Sequence, residues 1–246
     1  MQRQSDAAEL LDGPLDDPAA LRGNLRDLER VNRWLGGAGL SARAIDALAG
    51  DRETLTVLDV GTGAADIPVA LLARAARNGR RLRVTGVDNR PEILVAAVAR
   101  QPGLGMTPGL ELHVGDGRSL PFPDRSFDIV HASMLLHHLD PTAAVAVLRE
   151  MSRVARRGIV VNDLVRGRLA WLGAWLLSRV ATRNRYTRYD APLSVRRAYT
   201  LAELTSLIAA AGLRVQGSAV GGPFGHRVVL TATAAAVEGS RAGAST

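Results

Sequence analysis

TVLDVGTGAADIPVAL, residues 56–71, changes its period halfway along. An apolar run reaches Asp59, breaks at Gly61 and Gly63, and resumes from Ile67 with helical spacing. A strand, a glycine turn and a helix in that order place backbone amides and a helix N-terminus where a ligand can approach closely.

The same alternation continues outward. Strands are expected near residues 56–60, 83–88, 110–114, 127–133, 158–163, 213–219 and 227–233, with helices over 67–78, 91–101, 141–155 and 201–211. Parallel strands need crossovers, so the chain reads as an α/β fold with a doubly wound, mostly parallel seven-stranded sheet. Only GGPFGH separates the last two strands, too short for a crossover helix, so the final strand is expected to be antiparallel. Leu21, Leu25, Leu28, Val31 and Leu35 form a helical stripe before the sheet, and Ser41 reads as the N-cap of a second helix running to Leu48. The expected organisation is an N-terminal helical cap over residues 1–50, a main domain over 51–237 with a lid insertion at about 164–200, and a disordered tail over 238–246.

The chain has 246 residues, no cysteine and no lysine, so all 31 basic residues are arginine. Without cysteine there is no disulfide, thiolate metal site or cysteine nucleophile, and no metal is expected. The net charge of +7 is spread along the chain rather than clustered in a stripe, so nucleic acid is not expected as a partner. The first residues are acidic and lack an apolar core, and the longest apolar run, LAWLGAWLL, is about half a membrane span. A cytoplasmic protein without stable membrane insertion is expected, as a monomer or homodimer.

A dinucleotide fingerprint requires a third glycine where this chain has Asp66, whose carboxylate would face a pyrophosphate. A nicotinamide-dependent oxidoreductase is therefore disfavoured. What the chain offers is Asp59 before the glycines and Asp88 closing the second strand. A carboxylate at that strand end can accept hydrogen bonds from both hydroxyls of a ribose.

These residues resemble the class I S-adenosylmethionine-dependent methyltransferases. LDVGTGAAD is similar to their first motif, VTGVDNR to their second, and VGDGRSLPFPDRSFDIVHASMLLHHL to their third and fourth, in order and spacing over about residues 56–163. The resemblance is to the small-molecule branch typified by quinone-biosynthesis enzymes; Ala65 departs from it where the family usually has glycine. It implies a Rossmann-like methyltransferase fold and S-adenosyl-L-methionine as cofactor. It also implies that Asp59, Gly61 and Gly63 hold the methionine end and Asp88 the ribose. Asn89 and Arg90 would flank the adenine, Asp116 would accept its amino group, and Gly117 or Arg118 would lend an amide. His131 would end the fourth strand beneath the sulfonium, facing the substrate.

Methyl transfer to a phenol or an enolisable carbon gains from a nearby base. His131, His137 and His138 are the candidates, with Asp163 placed to orient a histidine or hold a substrate hydroxyl. The 164–200 insertion holds five of the nine aromatics and eight arginines against one acid, Asp190. Trp171 and Trp175 at i and i+4 make one apolar helical face that suits, with Tyr186 and Tyr189, a pocket for an apolar, aromatic or lipid-like small molecule. That face equally suits packing on the N-terminal helix or contact with a membrane surface; Arg183, Arg185 or Arg188 suits an anionic group on the substrate. O-methylation of such an acceptor is the expected activity. C-methylation, RNA ribose methylation and a catalytically inactive cofactor-binding protein are the alternatives; HASM in place of a D/N-P-P-Y motif argues against methylation of base amino groups.

Overall fold

The computed structural model describes residues 1–235. Seven strands form one sheet: β1 (Thr54–Val60), β2 (Arg81–Asp88), β3 (Leu110–Val114), β4 (Phe127–Ser133), β5 (Ala155–Leu164), β6 (Leu213–Gly221) and β7 (Arg227–Ala234), in the order β3-β2-β1-β4-β5-β7-β6. β1 to β5 pair in parallel, and β7 runs antiparallel to both β5 and β6, as the short connection before it requires. The order reverses at β1, so the carboxyl ends of β1 and β4 open the crevice where such sheets take ligands.

α3 (Asp66–Arg77), α4 (Pro91–Arg100), α5 (Pro141–Val154) and α8 (Leu201–Ala210) make the crossovers. Proline at the first position starts α4 and α5, where a missing amide costs nothing, and Thr200 with Glu203 closes a capping box on α8. One apolar cluster joins α5 and α8 to β1, β4, β5 and β7; a second packs the N-terminal helices and α3 on the opposite face.

The N-terminal helices are α1 (Pro18–Trp34) and α2 (Gly37–Ala49). The expectation that Ser41 caps the second helix is corrected: α2 begins four residues earlier, where Gly36 takes φ 85°. Ser41 instead lies inside α2, fully buried. Gly37 is fixed by closeness, because a Cβ there would press on the side chains of Asn32 and Arg227.

The 164–200 insertion folds as two helices, α6 (Arg168–Val180) and α7 (Arg185–Arg197). Asn184 caps α7 by accepting from the Tyr186 and Thr187 amides, and its Nδ2 donates to the Ala20 carbonyl of α1. Thr182 and Thr187 both donate to Asp27 Oδ2, so the insertion is fastened to α1 by polar side chains. The expected tail at 238–246 lies outside the described residues.

Candidate functional site

The glycine turn sits at the switch point. The Gly61 and Thr62 amides donate to the Val87 carbonyl at 2.8 and 3.0 Å, locking the turn to the end of β2. Gly61, Gly63 and Ala65 take φ of 72°, 54° and 56°. Ala65 thus occupies a left-handed position without glycine's freedom, which costs about 1 kcal/mol. A Cβ on Gly61 would meet Leu135, whereas one on Gly63 would meet nothing within 4 Å, so the crest of the turn opens on free space.

Asp88 closes this cradle. Its Oδ2 accepts from the Gly63 amide at 2.9 Å and its Oδ1 from the Arg90 amide at 3.0 Å, and burial pushes its pKa up. Each oxygen keeps a second lone pair for a hydroxyl. The Gly115 amide donates to the Asp88 carbonyl, and a Cβ on Gly117 would press on Val60, so Asp116 and Gly117 lie beside the ends of β1 and β2. Asp116 is held by the Arg118 guanidinium and amide, which lower its pKa. Asn89 is exposed at the same end. Arg90 turns instead to the N-terminal segment, donating to the carbonyls of Leu11, Asp12 and Gly13.

Asp59 and His131 do not face the cavity, contrary to the expectation for His131. Asp59 Oδ2 accepts from Thr62 Oγ1, and its Oδ1 lies 2.6 Å from His131 Nδ1. His131 Nε2 lies 2.7 Å from Ser41 Oγ, which accepts from Asn162 Nδ2. Asn162 Oδ1 and Asn32 Oδ1 accept from Arg227, and Asn32 Nδ2 donates to Asp66. The relay from Asp59 to Asp66 thus runs beneath the turn and ties it to α1, α2, β5 and β7. His131 has no surface exposed and both ring nitrogens occupied, so it supports the turn and cannot reach an acceptor.

The other two histidines face the opposite side. His137 Nδ1 lies 2.6 Å from Asp163 Oδ1, whose Oδ2 accepts from the amides of Leu136 and His137 at 2.8 and 3.2 Å. Burial pushes the Asp163 carboxyl up, but the adjoining His137 and the Leu164 amide outweigh it and leave it below the usual range. Adjacent residues of β5 therefore serve opposite faces, Asn162 the relay and Asp163 the histidine. His137 Nε2 is buried without a hydrogen-bond partner among the described residues, 3.8 Å from the equally unpartnered Glu9 Oε1.

Glu9 belongs to a strap, residues 1–13, that the sequence reading missed. Arg3 donates to the carbonyls of Arg197 and Leu139, and Arg197 donates to Ala7, Asp12 and His138. Asp190 accepts from the amides of Leu10 and Leu11, its pKa pushed to about 6 by burial. The available signal was charge: the first 17 residues carry five acids, of which Glu9, Asp12 and Asp17 lie against Arg197 or Arg185 of the arginine-rich insertion. His138 Nδ1 lies 2.8 Å from Asp12 Oδ1. Burial would lower its pKa, yet Glu9 and Asp12 raise it to about 9 against the opposing Arg197; Asp12 falls to about 2 as His138 and Arg197 override its own burial. Glu9, His137 and His138 offer ligand atoms within 4.8 Å of one another, but a protonated His138 repels a cation rather than binding one.

This cluster sets a pH dependence. The folded pKa of His138 exceeds its unfolded value of about 6.5, so its contribution is whole below that pH and disappears as pH rises through about 9. The wild-type melting temperature should therefore fall between pH 6.5 and 9.5 by more than that of His138→Gln, the difference amounting to about 2–3 kcal/mol. Parallel pH profiles for the two proteins would refute the linkage.

The candidate substrate residues are dispersed. Tyr186 is buried under the insertion. Trp171 packs beside Met134, Val195 and Ala198, with the Arg196 guanidinium 4.9 Å from its ring. Trp175 points outward under Arg179, so the two tryptophans do not share one buried face. Tyr189 is exposed, and Arg188 donates to the carbonyls of Thr182 and Arg179 beside the end of α6.

Residues 57–158 match a family model described as a methyltransferase domain. Over 115 residues the chain is 35% identical to a phosphatidylethanolamine N-methyltransferase of Cereibacter sphaeroides, covering 45% of this chain and 51% of that protein. Over 127 residues it is 32% identical to a demethylmenaquinone methyltransferase of Chlorobaculum parvum, covering 52% and 46%. The chain thus spans about half the length of the curated relatives it matches. Among solved structures it is similar to an O-methyltransferase from neocarzinostatin biosynthesis held with S-adenosyl-L-homocysteine and 1,4-dihydroxy-2-naphthoic acid, at 25% identity and a TM-score of 0.62, over 89% of this chain and 59% of that one. An S-adenosylmethionine-dependent methyltransferase from Aquifex aeolicus shares the fold, with a TM-score of 0.60 at 21% identity over 88% and 97%.

Proposed function

We propose that this protein, whose residues 57–158 match a methyltransferase-domain model, is a class I S-adenosylmethionine-dependent methyltransferase that methylates a small apolar or aromatic acceptor at oxygen. The observation that supports it is the buried His137–Asp163 pair with a free Nε2, on the segment after β4 whose Leu135 abuts Gly61 of the turn.

The cradle fits the cofactor: the crest at Gly63 is open, and Asp88 offers lone pairs beside it. The turn amides and Gly61 would receive the amino-acid end, Asp88 the ribose hydroxyls, and Asp116 with Gly117 the adenine edge. When bound, S-adenosylmethionine supplies an activated methyl group together with its leaving group. The protein then orients the acceptor and removes its proton. His137 accepts that proton at Nε2, while Asp163 fixes the ring through Nδ1 and stabilises the imidazolium. The acceptor hydroxyl takes the place that Glu9 Oε1 holds, so the strap yields at residue 9 on binding. C-methylation is the second reading, favoured by the demethylmenaquinone and ubiquinone/menaquinone relatives, since the same base can enolise a ring carbon.

Asp88→Ala should weaken S-adenosylmethionine binding by calorimetry about tenfold or more, as loss of hydrogen bonds to a charged group costs roughly 1.5–3 kcal/mol. Unchanged affinity would remove the basis of the cradle. Turnover of dihydroxynaphthoates, with the methylated atom identified by NMR, separates oxygen from carbon transfer.

A further inference from the structure

α6 is built inside out. The residues it turns inward are Ala170, Ala174, Ser178 and the half-buried Trp171, while its outer face carries Leu169 (69% exposed), Leu172 (51%), Leu176 (54%), Leu177 (41%) and Val180 (79%). At 100° per residue these five span one continuous stripe. Surface helices of water-soluble domains turn such residues to the core, and a contiguous exposed patch of this kind marks a binding surface.

The surroundings specify the occupant. Arg168 and Arg179 flank the stripe, and Arg183, Arg185, Arg188 and Arg196 are exposed on the rest of the insertion. The insertion's one acid, Asp190, is buried against the strap amides, so apart from Asp17, which lies 3.6 Å from Arg185, the charged groups named on this outer face are arginines. An open cleft of about 510 Å³, lined by Met1, Arg168, Trp171, Leu172 and Arg196, borders the stripe and puts two guanidiniums beside apolar walls. Trp175 lies at the boundary, half out, with Arg179 4.4 Å from its ring. Leucines on one face, with arginines and then a tryptophan along one edge, form an interfacial helix, one that lies in the plane of a bilayer without crossing it. No helix among the described residues is long and apolar enough to span.

We propose that α6 docks this protein on anionic lipid membranes, its leucine stripe entering the acyl boundary while Arg168, Arg179, Arg183 and Arg196 engage acidic headgroups. A second copy of the chain would meet the same positive rim, and like charges on both sides oppose that pairing. Docking is independent of the chemistry proposed above, because the cofactor cradle and the His137–Asp163 pair lie outside α6.

Flotation with phosphatidylglycerol vesicles and with phosphatidylcholine vesicles tests this. The full chain should bind the anionic vesicles at least tenfold more tightly, and 0.5 M salt should cut that binding severalfold. Leu172→Glu/Leu176→Glu should abolish binding, while Arg179→Glu/Arg183→Glu should weaken it. Both sites are exposed, so melting temperature and S-adenosylmethionine affinity should stay at the wild-type values. Equal retention of wild type and the leucine variant, or no binding to either vesicle, would overturn the proposal. So would a dimer by sedimentation that the leucine variant dissociates. Loss of S-adenosylmethionine binding in Asp88→Ala alone bears on the cradle and leaves docking untouched.

Discussion

His137→Gln should lower turnover on a phenolic acceptor by about 10²- to 10⁴-fold, the usual contribution of a positioned general base, and should leave S-adenosylmethionine affinity within about twofold. Glutamine keeps a polar group near Asp163 but cannot take a proton. The effect should shrink as the acceptor's own pKa falls towards neutrality, because a phenolate needs no base; a purely structural loss would not depend on the acceptor. Asp163→Asn should share much of the loss, since an amide facing Nδ1 favours the wrong tautomer. Full activity in His137→Gln at neutral pH would assign the protein's role to positioning alone.

Arg227→Leu should destabilise the fold by about 3–5 kcal/mol, the range for removing one member of a buried charged network. Arg227 is fully buried, with its pKa pulled down to about 10 by desolvation, and it donates to Asn162 and Asn32. Leucine leaves those amide oxygens unpaired and removes a buried positive charge that interacts with Asp163 and Asp66. For a chain of this length the melting temperature should drop by roughly 6–20 °C. Arg156→Leu is the control: its pair with Asp128 is long, at 3.9 Å, and exposed, and its loss should cost less than about 1 kcal/mol. Equal effects of the two substitutions would mean that the relay beneath the glycine turn carries no stability.

What the sequence allowed to be read was what local chemistry decides. Strand boundaries at β3 and β4 follow from short apolar runs fenced by Gly109, Gly115, Asp124 and Met134, and both strands begin and end where expected. The turn and Asp88 were legible because strand, glycines and carboxylate lie within one βαβ unit. His131 was misread because its fate depends on Ser41, 90 residues earlier, and Ser41 was misread because it satisfies the local rule for an N-cap while Gly36 starts the helix sooner. Glu9 meets His137 across 128 positions, with no periodicity to announce it. The helical spacing of Trp171 and Trp175 was real, but spacing cannot tell which face turns inward, and α6 turns its alanines.

The strap's fastenings join positions far apart in the chain: Arg3 to Leu139 across 136 residues, Arg197 to Ala7 across 190, Leu10 to Asp190 across 180. None can form until β4, β5 and α7 are already assembled, since closing such loops early wins nothing in return. The segment that covers His137 should therefore be the last to settle during folding. It should also be the first to peel away under thermal or proteolytic stress, so a preparation can keep its sheet and its spectrum intact while His137 stands uncovered.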